Sequence, residues 1–196
     1  MKPVVLIAAI AFLAAQAQAH AIDIQTIDVR YQDGLYRVQF VAELAATPDA
    51  VGRVLKDYAK YPALDARIEE SHLIASPAGA PAGAPARLYT RLKGCLNRLM
   101  CRSMVRIEIL QERPGDLIAT AIPELSDVKK SVTHTQWQGS PKGPRVSYSL
   151  TLDPKFWVPA FFGRRAMIDT MRDGTVNMFT SVERVARRLP TADAQR

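Results

Sequence analysis

Past Pro154 the apolar residues of this chain stop alternating and begin to recur every three or four positions, from about Pro159 to Leu189. Ile168, Met171, Thr175, Met178, Val182, Val185 and Leu189 then share one face of a helix, the longest element the pattern predicts. Upstream, most of the periodic stretches have a period of two. A long helix that follows a run of strands buries its stripe against the sheet those strands form, so the order predicts an α+β fold in which the C-terminal helix covers a curved sheet. Gly174, in mid-helix, costs about 1 kcal/mol relative to Ala and marks a close backbone approach or a bend.

The strands can be read one by one. Tyr36, Val38, Phe40, Ala42 and Leu44 alternate with mostly polar neighbours, and an earlier set (Ile22, Ile24, then Ile27, Val29, Tyr31) shifts phase once. Asp33-Gly34 between them is a hairpin turn. Thr47-Pro48 opens a short helix carrying Val51, Val54, Leu55 and Tyr58, which should end before Tyr61-Pro62; a further helical turn carries Leu64. Strands follow near Ile68–Ile74, at Leu88, Thr90 and Leu92, at Val105, Ile107 and Ile109 with Arg106 and Glu108 opposite, and at Val146, Tyr148, Leu150 and Leu152. Residues 76–86, rich in Ala, Gly and Pro, form a flexible loop, and the tail 190–196 is expected to be disordered.

At the N-terminus, Lys2, an apolar run from Val4 to Ala15 and Ala17-Gln18-Ala19 have the three parts of a cleavable signal peptide over residues 1–19. The run is shorter than the roughly 20 residues a membrane span needs. Ala19-His20-Ala21 is an overlapping second site, so the mature chain begins at His20 or Ile22. The expectation is a single periplasmic or secreted domain over residues 20–196. Its moderate basic excess contains no Lys/Arg run longer than two, unlike a nucleic-acid arm.

Cys95 and Cys101 are the only cysteines, and in an exported chain an even count favours a disulfide. Six residues of continuous strand would hold them roughly 20 Å apart, whereas a disulfide needs Cα atoms within about 7 Å. If they pair, the chain reverses between them, and closing so small a ring stabilises by about 2.4 kcal/mol, enough to hold a local turn. Two thiols with no nearby His do not make a zinc site.

The short helix running into Asp57-Tyr58-Ala59-Lys60-Tyr61-Pro62, and Pro154-Lys155-Phe156-Trp157-Val158-Pro159 ahead of the final helix, resemble the START-like or Bet v 1-like helix-grip (SRPBCC) superfamily, particularly its bacterial polyketide cyclase/dehydrase and coenzyme-Q-binding branch. That resemblance implies a curved antiparallel sheet wrapped around the long C-terminal helix, with two short helices after the N-terminal strands. It also implies a cavity between sheet and helix that holds an apolar molecule such as a lipid, quinone, sterol or polyketide. Met167, Met171 and Met178 on the inward face of the helix would suit such a ligand, although a methionine stripe is as readily ordinary core.

Phe156, Trp157, Phe161 and Phe162 form the mouth of the cavity, touch a membrane surface, or staple the helix to the sheet. Arg164, Arg165 and Arg172 hold an anionic headgroup or form a solvated face. Tyr58, Tyr61 and Trp137 are candidates to orient a ligand's oxygen. No nucleophile elbow, metal-type His pair or phosphate-binding loop is present, so no catalytic residue, metal or cofactor is expected. Asp57 and Glu69-Glu70 are acids without an evident partner. Binding or carriage of a hydrophobic molecule is the first expectation. A cyclase- or dehydratase-type enzyme, or an interaction protein with a filled core, is the alternative.

Overall fold

The computed structural model describes residues 22–75, 79, 81, 83–95, 101–160 and 162–190. The expected signal segment 1–19, residues 76–78, 80 and 82 of the Ala/Gly/Pro loop, the stretch 96–100 between the cysteines, Phe161 and residues 191–196 of the tail lie outside the described residues.

In chain order the elements are β1 (Asp23–Gln32), β2 (Leu35–Glu43), α1 (Pro48–Lys56), a 3-10 turn (Tyr58–Lys60), α2 (Tyr61–Leu64), β3 (Ile68–Ile74), β4 (Arg87–Cys95), β5 (Cys101–Arg113), β6 (Asp116–Ala121), β7 (Val128–Ser140), β8 (Gly143–Pro154) and α3 (Phe162–Ala186), with a second 3-10 turn at Pro123–Leu125. The strands form one eight-stranded sheet in the order β1-β2-β8-β7-β6-β5-β4-β3. Every pairing is antiparallel. The sheet is thus two hairpin runs joined through β2 and β8, and α1 and α2 occupy the crossover between its edges.

The turn chemistry works as the residues dictate. Asp33 and Gly34 both have positive φ (54° and 79°), the geometry of the tight turn whose twist matches its flanking strands. The phase shift in β1 is a register break between Ile24 and Thr26. The Thr47 side chain accepts a 3.2 Å hydrogen bond from the Ala50 amide and so caps α1. α1 ends at Lys56, before Tyr61-Pro62 as expected, and α2 carries Leu64; only the backbone of Tyr61 departs from the usual preference of a residue before proline, being helical (φ −54°, ψ −37°). Pro62 sits in the first turn of α2, where its missing N–H has no partner to lose.

Two cores result. Beneath the C-terminal half of α3, Phe179, Val182 and Ala186 pack with Phe40 and Val146 of the sheet and Val51, Val54 and Leu55 of α1. Phe179 stacks on Phe40 with ring centroids 4.9 Å apart, and meets Tyr148 edge-on at 5.4 Å. Glu183, buried at the end of α3, accepts a 3.0 Å hydrogen bond from the Ala45 amide and ties the helix to the loop after β2. The second core joins Tyr36, Val128 and Leu152 to Met167, Ile168 and Met171 of the N-terminal half of α3.

The close approach expected at Gly174 is made by a side chain. A Cβ there would fall inside the guanidinium of Arg67. Arg67 Nη1 donates to the Thr170 carbonyl at 2.7 Å, and its other nitrogens bind the Asp65 carboxylate. Gly174→Ala should therefore destabilise despite its better helix propensity: losing a charged hydrogen bond costs about 1.5–3 kcal/mol and the propensity returns about 1. In an Arg67→Met background Gly174→Ala should cost nothing further, and denaturant melts of the two single variants and the double variant would test it. Burial raises the Asp65 carboxyl, but its hydrogen bonds from Arg67 outweigh that and hold it below its ordinary value. A depressed carboxyl contributes stability above its unfolded value near 3.9 and loses it as pH falls through the folded value. The gap in urea midpoint between the native chain and Asp65→Asn should narrow from about pH 7 to about pH 3.

Candidate functional site

Between the sheet and α3 lies a cavity of about 770 Å³. Its walls are the inward residues of β4 to β8, the β3 entrance at Asp65 to Ile68, and the face of α3 from Met167 to Phe179. Leu55, Leu88, Leu110, Leu117, Ala119, Leu150 and Leu152 make the lining predominantly apolar.

Most of the residues singled out in the sequence meet here. Tyr58, Tyr61, Phe156, Trp157, Met167, Met171 and Met178 all line the cavity. Tyr58 donates to Glu112 at 2.6 Å and Tyr61 to the Leu55 carbonyl at 2.6 Å, so both hydroxyls are engaged by the protein. Burial, then the Glu112 hydrogen bond, pushes the Tyr58 phenol well above its ordinary value; burial raises that of Tyr61 too.

Trp137 is not among the cavity residues. Its indole packs against Gly52 of α1, where a Cβ would stand 2.9 Å from Nε1, so it is a core residue under the helix. Phe161 lies outside the described residues. Glu69 and Glu70 do have partners, since Arg91 lies 3.3 Å from the first and 3.1 Å from the second.

The sequence sets Val105, Ile107 and Ile109 against Arg106 and Glu108 in β5, and the structure decides which of the two faces is inward. Met104, Arg106, Glu108 and Leu110 line the cavity, so Val105, Ile107 and Ile109 take the opposite face of the sheet. The strand is apolar on both faces, so hydrophobicity alone does not say which of them meets the cavity. Only the shared phase of Met104 and Leu110 with Arg106 and Glu108 hinted at this arrangement. Arg106 and Glu108 form a loose ion pair, Nη2 to Oε2 at 3.8 Å, with side chains 14 % and 3 % exposed. Arg106 also donates to Ser131 at 3.3 Å. Thr90 stands opposite Arg106 in the β4–β5 ladder. Arg106 Nε, Glu108 Oε1 and Thr90 Oγ1 are buried without a hydrogen-bond partner among the described residues. The Tyr148 phenol is pushed up to about 12, chiefly by burial, with Arg106 pulling it down and Glu108 pushing it up. A polar cluster is therefore embedded in an apolar wall.

At the other end the cavity opens beside Lys93, Gly94, Cys101 and Arg102, where β4 and β5 meet the segment before α3. Arg102 lies over the Phe156 ring at 5.6 Å. Trp157 is 82 % exposed and Phe162 67 %. Arg164 is stacked on Tyr31 at 4.5 Å, and Arg165 faces Asp169 in solvent at 3.9 Å. The chain does reverse between the cysteines: Cys95 and Cys101 are direct partners in the ladder.

No family model matches this sequence, and no curated protein matches it. Solved structures do. A START superfamily protein from Mycobacterium smegmatis is similar at 16 % identity over 79 % of this chain and 99 % of its own, with a TM-score of 0.58. A STAR-related lipid transfer protein from Xanthomonas axonopodis is similar at 14 % identity, 84 % and 99 % coverage and TM-score 0.58. The Zhui aromatase/cyclase from Streptomyces sp. R1128 is similar at 14 % identity, 81 % and 98 % coverage and TM-score 0.53. The chain has the START/Bet v 1-like helix-grip α+β fold, with an eight-stranded antiparallel sheet around a long C-terminal helix.

Proposed function

We infer that this protein binds or carries a hydrophobic small molecule in the space between its sheet and α3. The observation that carries the reading is the cavity itself, about 770 Å³ and predominantly apolar in its lining, within the 300–1,000 Å³ range of ligand pockets. Burying ten methylenes supplies about 8 kcal/mol, equivalent to a dissociation constant near 1 μM before ordering costs. That two of the similar structures are a lipid transfer protein and an aromatase/cyclase is in keeping with an apolar ligand. Diphenylhexatriene, a neutral apolar fluorophore, should bind saturably. Ala119→Phe, which fills the cavity from β6, should weaken that binding about tenfold. Non-saturable binding that Ala119→Phe leaves unchanged would contradict the reading.

Export completes the proposal: the segment 1–19 directs the chain out of the cytoplasm, and Cys95 and Cys101 are bridged there. Directly opposed strand residues have Cα atoms about 4.5–5.5 Å apart, inside the range a disulfide spans. The intact mass should rise by two hydrogens on reduction; an unchanged mass would show that no bridge exists. The exposed Trp157, with Lys93 and Arg102 in the same stretch of the cavity lining, and the exposed Phe162 at the start of α3 fit brief contact with an anionic membrane surface. Phe162→Ala, a change outside the cavity lining, should reduce sedimentation with phosphatidylglycerol vesicles and leave diphenylhexatriene binding intact.

A second reading, acid–base chemistry on a bound polyketide-like substrate, draws on Glu108, a carboxylate in the cavity wall with a side chain 3 % exposed. It expects a linear β-polyketone thioester to be converted by the native protein and not by Glu108→Gln.

A further inference from the structure

Resting on the reading of the cavity as a binding site, we propose that its mouth holds the anionic head of an amphiphile, a carboxylate or a phosphate monoester, on Arg102 with Lys93 on the neighbouring strand, while the apolar tail runs inward. The observation that carries it is the charge balance of the lining. Six charged residues line the cavity: Asp65, Arg67, Lys93, Arg102, Arg106 and Glu108. Arg67 is bound to Asp65, and Arg106 lies against Glu108. The two left over are both cations, and both sit at the same end of the β4–β5 ladder. Glu69, on the other side of β4, is engaged by Ser103 and Arg91, so among the described residues no carboxylate answers Lys93 or Arg102.

Arg102 shares the phase of Met104 and Arg106, which also line the cavity. Its guanidinium lies over the Phe156 ring, 5.6 Å from the centroid, a contact through the ring face that steadies the group and leaves its rim of N–H donors for a ligand. Gly94 is its partner across the ladder, and a Cβ there would meet only the Arg102 carbonyl, at 3.9 Å, so the space beside the guanidinium is open. None of Arg164, Arg165 and Arg172 of α3 lines the cavity. The fork of donors matches two oxygens of a carboxylate or phosphate, whereas a neutral ester brings no charge to it. Because Lys93 and Arg102 are exposed, an anion seated here keeps part of its hydration while its tail leaves water, so the head has no reason to enter the apolar interior.

Decanoate, decyl phosphate and methyl decanoate carry tails of matching length and test the head, at about pH 8, where the first two are ionised. In calorimetric titrations at low salt, at least one of the anions should bind the native protein about fivefold or more tightly than the ester. Adding about 0.5 M NaCl should shrink that ratio, because exposed charges are screened. A preference for decanoate points to fatty acids, and one for decyl phosphate to phosphorylated lipids. Arg102→Gln with Lys93→Gln should bring the ratio close to one, and Arg102→Lys, which keeps the charge without the fork, should retain part of it. The ratio is read within each variant, so a general weakening of binding does not imitate the effect. Should the double variant fail to fold, the salt dependence of the native ratio decides. Equal affinity of the native protein for anions and ester, a salt-insensitive ratio, or a preference that survives in the double variant overturns the proposal and leaves the cavity reading standing. Failure of all three probes and of diphenylhexatriene overturns both.

Discussion

Glu108→Ala should lower stability by about 3–5 kcal/mol, because it leaves the Arg106 guanidinium buried without its counter-charge. Arg106 is 14 % exposed and keeps, among the described residues, its 3.3 Å hydrogen bond to Ser131. Replacing both residues, Arg106→Met with Glu108→Leu, should restore stability to the native level or above it, since apolar side chains of similar volume pay no desolvation cost. Urea denaturation of the two variants checks this. If the double variant is as unstable as Glu108→Ala, the pair has a structural role that the cavity geometry does not account for. If it is stable but no longer discriminates among ligands, the charges are kept for recognition and not for the fold.

The second large effect belongs to Phe179. Truncating it to Ala should cost about 3–5 kcal/mol. It is 2 % exposed, stacks on Phe40, meets Tyr148 edge-on, and closes the inner end of the cavity. The void it leaves joins a space that is already open, so the same variant should enlarge the site and admit a bulkier apolar probe. Thermal melts with and without diphenylhexatriene separate the two effects: the apo protein should melt lower, and ligand should recover more of the loss than it gives the native chain.

The fold was legible because its signals are local. Asp33-Gly34, Thr47-Pro48 and the alternation in β2, β4 and β8 each act over a few residues, and the change of period after Pro154 fixed the order of sheet and helix. The apolar half of the site was legible for the same reason, since Met167, Met171 and Met178 follow from helical spacing alone. The polar half was not. A strand such as β5, with Val105, Ile107 and Ile109 on one face and Met104, Arg106, Glu108 and Leu110 on the other, carries two defensible phases, and hydrophobicity alone does not choose between them. Trp137 failed in the opposite sense: a large amphipathic ring suggests a ligand contact, but its position opposite Val146 in the β7–β8 ladder turns it toward Gly52 and α1. Arg67, on a short link between α2 and β3, had no periodic signal, and only Gly174 marked its place across about a hundred residues of sequence.

The most direct test of an apolar ligand site is native mass spectrometry of the protein as isolated, followed by organic extraction of the same sample. The account predicts a bound species that survives gentle ionisation, leaves into the organic phase, is predominantly apolar, and is lost from Ala119→Phe. A protein isolated without any such species, which also does not take up diphenylhexatriene, would contradict it.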